Sequence, residues 1–205
     1  MGMGVIMGVS KQAKTLSDSQ VKALTTYLSN SRNPKRNLTI LYLSVKAGLR
    51  AKEIAALTWK MTLDGEGDLG TSINLTNKAS KGRSGRIIPI NKTLSFALKD
   101  LLNESRTSRS FDLETSYVVT TERSEKTSAQ VIVNMFKDWY SRLGFVGCSS
   151  HSGRRTMITN AAKKVGLVGG SLRDVQLLAG HSSLQTTQRY IDYDTEAQRS
   201  LMNLI

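Results

Sequence analysis

Only two histidines occur in the chain, His151 and His181, and each lies beside residues suited to phosphoryl chemistry. His151 opens the run His151-Ser152-Gly153-Arg154-Arg155, three residues ahead of Arg154. His181 closes Leu178-Ala179-Gly180-His181, and Tyr190 follows nine residues later. A further cation, Arg50, follows a Gly-Leu turn in Ala47-Gly48-Leu49-Arg50-Ala51-Lys52-Glu53. Cleaving a phosphodiester without a metal ion leaves three tasks to side chains. The charge of a five-coordinate phosphate must be neutralised, an alkoxide leaving group must be protonated, and a nucleophile must be supplied. Two guanidinium forks suit the first task, because each offers bidentate donors and keeps its charge. A tyrosine hydroxyl can be the nucleophile if a base or cationic surroundings assist it, since a free tyrosine titrates near ~10.

Other routes to the same bond are not written in the chain. A two-metal nuclease gathers carboxylates around Mg²⁺, and here they are scattered. There is no Walker loop, no His-Glu-x-x-His and no paired cysteine. No metal and no cofactor is therefore expected.

The boxes resemble the tyrosine recombinases, the phage integrase family. A Gly-x-Arg-x-x-Glu-Ile box, a His-x-x-Arg box, a Leu-x-Gly-His box and a tyrosine nine residues after that histidine occur in the family's order, over about residues 15–200. Four ordered boxes are far more specific than any single motif. The resemblance implies a helical catalytic domain and DNA strand cleavage and religation through a 3′-phosphotyrosine. It implies that Arg50 and Arg154 grip the scissile phosphate and that His151 assists proton transfer or hydrogen-bonds the phosphate. His181 would donate to a non-bridging oxygen, Lys81 would be the general acid for the 5′ oxygen, and Tyr190 would attack. Tyr193 is a nearby rival to Tyr190, and Lys78, Arg83 and Arg86 share the loop of Lys81. Lys78, Arg83, Arg86 and Arg155 are expected to contact DNA, and Glu53 to buttress the site. The second box departs from the family's His-x-Leu-Arg-His at Gly153 and Arg155. The family's N-terminal DNA-clamping domain is expected to be absent, with residues 1–14 a disordered leader and 15–205 the catalytic domain.

The elements that must position these residues read as mainly α with one small antiparallel sheet (α+β). Ser17 and Gln20 form a capping-box pattern ahead of Val21, Leu24 and Leu28. Asn33-Pro34 breaks that helix, a second runs from about Arg36 to Gly48, and a third covers Ala51 to about Leu57. Ser72–Thr76 alternates as a half-buried strand, and Arg86–Ile90 returns, with Pro89 marking an edge. Helices follow around Leu94–Leu102, Ser128–Leu143, His151–Val165, Ser171–Ala179, Leu184–Tyr190 and Thr195–Leu204. Tyr117–Thr120 is expected as a short strand. If 151–165 is helical throughout, His151 and Arg154 share a face.

Charge supplies the partner. The 205 residues carry 29 Lys and Arg against 16 Asp and Glu, a net charge of +13. Residues 1–60 hold ten basic and two acidic side chains, and residues 78–109 hold eight and two. Such an imbalance fits double-stranded DNA. Cys148 is the only cysteine, which fits a reducing cytoplasm and, with DNA as substrate, a nucleoid location. No apolar run spans a bilayer. The apolar end Leu201, Met202, Leu204 and Ile205 suggests packing into a neighbouring protomer. The expected assembly is a homotetramer on DNA built from a monomer in solution. Two other readings remain: a catalytically decayed DNA-binding or regulatory protein, which would lack strand cleavage, and a helical transcription factor, for which the two histidine boxes would be coincidence. A relaxing type IB topoisomerase shares the chemistry but fits the boxes less well.

Overall fold

The computed structural model describes residues 13–80, 84–190 and 202–203. Helix α1, Asp18–Ser29, starts at Ser17, whose hydroxyl accepts from the Gln20 N–H while the Gln20 side chain accepts from the Ser17 N–H. This is the predicted capping box, and Leu24 and Leu28 are the buried stripe beneath it. Helix α2, Pro34–Val45, begins two residues earlier than expected because Pro34 suits the first helical turn. It buries Ile40, Leu41 and Leu43 completely. Gly48, at φ +66°, turns the chain into α3, Ala51–Ala56. Leu49 and Ile54, on either side of the start of α3, are both fully buried.

Strands β1, Ser72–Leu75, and β2, Arg86–Pro89, pair antiparallel, with Ile73 opposite Ile88 and Leu75 opposite Arg86. Ile73, Leu75 and Ile88 face the core, while Ile87 on the other face is 68% exposed. The pair is the predicted hairpin. The expected strand at Tyr117–Thr120 is reduced to a single bridge between Tyr117 and Thr58. The Val118 N–H still donates to Leu57 C=O at 2.9 Å, but Val118 and Val119 are both buried, so the segment lacks the alternation that extends a ladder.

Helices α4, Lys92–Ser105, and α5, Ala129–Arg142, close the main core. Phe136 meets Trp139 edge-on at 5.2 Å and stacks on Tyr140 at 5.8 Å. Helix α6, Ser152–Lys164, packs across α2. It then tightens into a 3₁₀ turn at Val165–Val168 and stops at Gly169. Helices α7, Leu172–Ala179, and α8, Leu184–Gln188, complete the fold over a small second core of Ile158, Val175 and Ala179. The expected helix Thr195–Leu204 and most of the apolar C-terminal end lie outside the described residues. So do residues 1–12 of the expected leader. Lys14, at that leader's end, donates its N–H to Gly147 C=O at 3.0 Å.

The departure at Gly153 has a packing cause. A Cβ there would lie 2.3 Å from Ser44 Oγ and 2.9 Å from Val45 Cγ1, so α6 approaches α2 more closely than any side chain at 153 permits. Ser44 Oγ is buried there without a hydrogen-bond partner among the described residues. Gly153→Ala is expected to cost about 1–3 kcal/mol by overpacking. Melting should show a loss of roughly 2–4 °C per kcal/mol. Adding Ser44→Ala, which removes the nearest atom and an orphaned hydroxyl, should return part of that loss.

Candidate active site

Three helix ends converge where the second core meets the α2–α3 turn. Arg50 is the N-cap of α3, a position where its own side chain cannot cap and is free to point outward. Glu53, one turn on, is fully buried. Its Oε2 accepts from the Arg50 N–H at 2.8 Å, and its Oε1 accepts from Arg50 Nη1 at 2.9 Å. The same carboxylate takes both ends of a second guanidinium, Arg86 Nη1 at 3.0 Å and Nη2 at 3.2 Å. Burial by itself would raise the Glu53 carboxyl. The hydrogen bonds and charges of Arg86 and Arg50 outweigh it and hold the group below its ordinary value.

Arg154 reaches the site from the first turn of α6 and is almost wholly buried. Its Nη1 donates to Gly48 C=O and its Nη2 to Ala179 C=O, both at 2.6 Å. These carbonyls end α2 and α7, so one guanidinium ties together the two turns that present Arg50 and His181. Burial, then the charges of Arg50 and Arg86, lower the Arg154 guanidinium to about 10, and it stays cationic at neutral pH.

His181 is placed by Gly180, which caps α7 at φ +63°. A Cβ on Gly180 would lie 2.9 Å from Arg86 Nη1, so glycine is required for space as well as for conformation. Both backbone groups of His181 bond to Gln176, and Nε2 lies 3.1 Å from Arg154 Nη2. Burial and the charges of Arg154, Arg50 and Arg86 push its imidazole down to about 4. His151 is the N-cap of α6 with helical backbone angles, φ −89° and ψ −14°; its C=O accepts from the Arg155 N–H at 2.9 Å, and it lines the same cleft as Arg154. Its ring is lowered by desolvation and then by Arg154 and Arg50.

Tyr190 stacks on His181 with ring centroids 5.3 Å apart, and the Arg155 guanidinium lies over its ring at 6.0 Å. Its C=O accepts from Thr159 Oγ1 at 3.0 Å, and its ring edge packs on the Ile158–Val175–Ala179 core. His151, Arg154, Arg155 and Tyr190 line one cleft; Arg50, Arg86 and His181 line the adjoining groove, and Thr186 borders both. Three guanidiniums therefore lie around the Glu53 carboxylate, two of them bonded to it. The excess positive charge that lowers both histidines is the charge an entering phosphate would neutralise. Among the described residues, no three His, Cys, Asp or Glu side chains gather as a metal site.

Arg86 is a correction. It was expected to contact DNA, but its side chain is only 6% exposed, bonded to Glu53 and, through Nε at 2.8 Å, to Leu178 C=O. A basic hairpin reads as a solvated patch in sequence, and the buried carboxylate that claims Arg86 is 33 residues away. Lys78 is exposed in the turn after β1. Lys81 and Arg83, and the rival Tyr193, lie outside the described residues. Thr187, whose hydroxyl lies 3.0 Å from His181 Nδ1, carries no sequence signal that sets it apart from Thr186.

The sequence profile of the phage integrase family matches residues 14–197. The chain belongs to the phage integrase family. It is 28% identical over 184 residues to tyrosine recombinase XerC of Herpetosiphon aurantiacus, covering 86% of this chain and 56% of that protein. It is 30% identical over 173 residues to TnP I resolvase of Bacillus thuringiensis, covering 84% and 55%. The integrase chain thus spans about half the length of the curated relatives it matches. Its fold is that of the Tn1549 transposon integrase solved with transposon right end DNA, with a TM-score of 0.74 at 19% identity over 96% of this chain and 66% of that one.

Proposed function

We propose that this integrase-family chain carries out site-specific DNA recombination, of the integrase or invertase kind, by metal-free strand cleavage and religation. Tyr190 Oη gives up its proton, with His151 assisting the transfer, and attacks the scissile phosphorus. The bond to the 5′ oxygen breaks, a 3′-phosphotyrosine forms, and the 5′ oxygen leaves as a hydroxyl protonated by Lys81. Religation is the reverse, and it needs no nucleotide because the phosphotyrosine retains the bond energy. Arg50 and Arg154 bind the non-bridging oxygens, with His151 and His181 beside them. Lys78, Arg83 and Arg155 add phosphate contacts, and Glu53 holds Arg50. The observation that carries this reading is Arg154, bonded at once to the Gly48 and Ala179 carbonyls and next to a histidine stacked on Tyr190.

The working assembly is a homotetramer on DNA, acting in the cytoplasm on the nucleoid. Exposed Ile87 and Leu177 flank the groove beside His181, an apolar surface suited to a neighbouring protomer. No helix among the described residues is long and apolar enough to cross a membrane.

The test uses a pool of nicked duplexes with randomised sequence around the nick, where loss of a short 5′ fragment traps the covalent state. Incubated in EDTA, the protein should become covalently linked to DNA, with the phosphoryl group on the peptide containing Tyr190. No adduct, or one that requires a divalent ion, would overturn the proposal.

A further inference from the structure

In the DNA-free site His181 is set as an acceptor. A guanidinium has no lone pair to offer, so in the 3.1 Å contact with Arg154 Nη2 the acceptor is His181 Nε2. A neutral imidazole with an acceptor at Nε2 carries its proton on Nδ1, and the atom facing Nδ1 is Thr187 Oγ1 at 3.0 Å. The strong lowering of the ring by burial and three arginines agrees with a neutral imidazole. The role proposed above needs the opposite arrangement, with Nε2 bearing the proton toward a phosphate oxygen.

Thr187 can serve both arrangements. A hydroxyl is donor and acceptor, so by rotating its own proton it can accept from Nδ1–H or donate to a bare Nδ1. Thr187 is fully buried, so water cannot substitute for its hydroxyl without rearrangement. The imidazole need not move. Its backbone is held at both ends by Gln176, and its face is held by Tyr190. Thr187 also accepts, through its C=O, from the Tyr190 N–H at 3.0 Å, which sets this residue between histidine and nucleophile.

We infer that Thr187 is a positioning residue that lets His181 exchange tautomers: its hydroxyl accepts from Nδ1 in the free site and donates to Nδ1 once a phosphate faces Nε2. One proton leaves Nδ1 to solvent and one arrives at Nε2 from solvent, so the ring's charge is the same before and after. This rests on the recombinase reading for its second half and on the free protein alone for its first.

Nitrogen-15 histidine spectra of the whole chain test it, and two histidines make the assignment simple. His181 should carry its proton on Nδ1 in the free protein; in Thr187→Val the Arg154 donor still selects that tautomer but Nδ1–H loses its acceptor, which should shift the Nδ1 resonance, while Thr187→Ser should retain the wild-type resonance. On the nicked pool, Thr187→Val should cleave roughly tenfold more slowly, the scale of one lost hydrogen bond, with unchanged affinity for a short random duplex. Thr187→Ser should recover the rate. In a His181→Ala background, Thr187→Val should add no further loss. An Nε2–H tautomer in the free wild type, or an equal loss in the His181→Ala background, would overturn the inference. A wild-type chain that forms no adduct would overturn the recombinase reading alone, because the tautomer of the free protein is read without DNA.

Discussion

Tyr190→Phe will eliminate the covalent protein–DNA adduct while leaving the fold and DNA affinity in place. The substitution removes one oxygen and keeps the ring. The ring is what stacks on His181 at 5.3 Å, lies under Arg155 and covers Ile158, Val175 and Ala179. The contacts that hold the segment through backbone, Thr159 Oγ1 to Tyr190 C=O and Tyr190 N–H to Thr187 C=O, are also untouched. What is lost is the hydroxyl proposed to form the ester bond. Removing a covalent nucleophile typically costs four or more orders of magnitude (about 10⁴–10⁶-fold), because no other group inherits its geometry. The comparison with Tyr193→Phe is decisive, since both tyrosines lie on the same short segment. An adduct that persists in Tyr190→Phe and vanishes in Tyr193→Phe would move the nucleophile three residues and break the link to His181. Melting curves and duplex binding, measured alongside, should be indistinguishable from wild type.

The chemistry of this site was more legible in the sequence than its support. Arg50, Arg154 and His181 lie in short boxes because each is presented by a local device that needs its own residues: the Gly48 turn, the start of α6, the Gly180 cap. Local devices leave local patterns. Of the groups that hold these side chains, Glu53 lies in the Arg50 box, while Arg86 and Thr187 leave no pattern of their own. Arg86 belongs to β2, Glu53 to α3, and their pairing depends on the hairpin folding back over the α3 N-terminus. Nothing around Arg86 distinguishes it from the cations beside it. Thr187 is one of two adjacent threonines, and only the turn of α8 decides which one faces the imidazole. His151 caps α6 with helical backbone angles, so the three-residue spacing to Arg154 brings both to one cleft. Gly153 reads as a gap in the family pattern until α2 is seen pressed against it.

Glu53→Gln tests how much of the site depends on that non-local pairing, and the expected loss is large. Glu53 is ion-paired with both Arg50 and Arg86, and it is fully buried. The glutamine keeps the shape but removes the charge and turns one accepting oxygen into an amide NH2 donor facing two guanidiniums. Arg50 is 25% exposed and can turn to solvent, but Arg86 is 6% exposed and cannot. Breaking a buried pair in this way costs about 3–5 kcal/mol, most of it the penalty of the cation left behind. Chemical denaturation should show that loss at pH 7. The pH dependence has a definite sign. The Glu53 carboxyl is held below its usual 4.5 in the folded chain, so its contribution is complete above that pH and fades as the pH falls through the lower folded value. The gap between wild type and Glu53→Gln should therefore narrow on acidification below about 4.5. Replacing the stranded cation as well, Arg86→Met in the Glu53→Gln background, should return stability, since an apolar group of similar length needs no buried partner. It should not return cleavage, because Arg50 would still lack the carboxylate that aims it. If the double variant is no more stable than Glu53→Gln alone, Arg86 is not the buried charge that Glu53 satisfies.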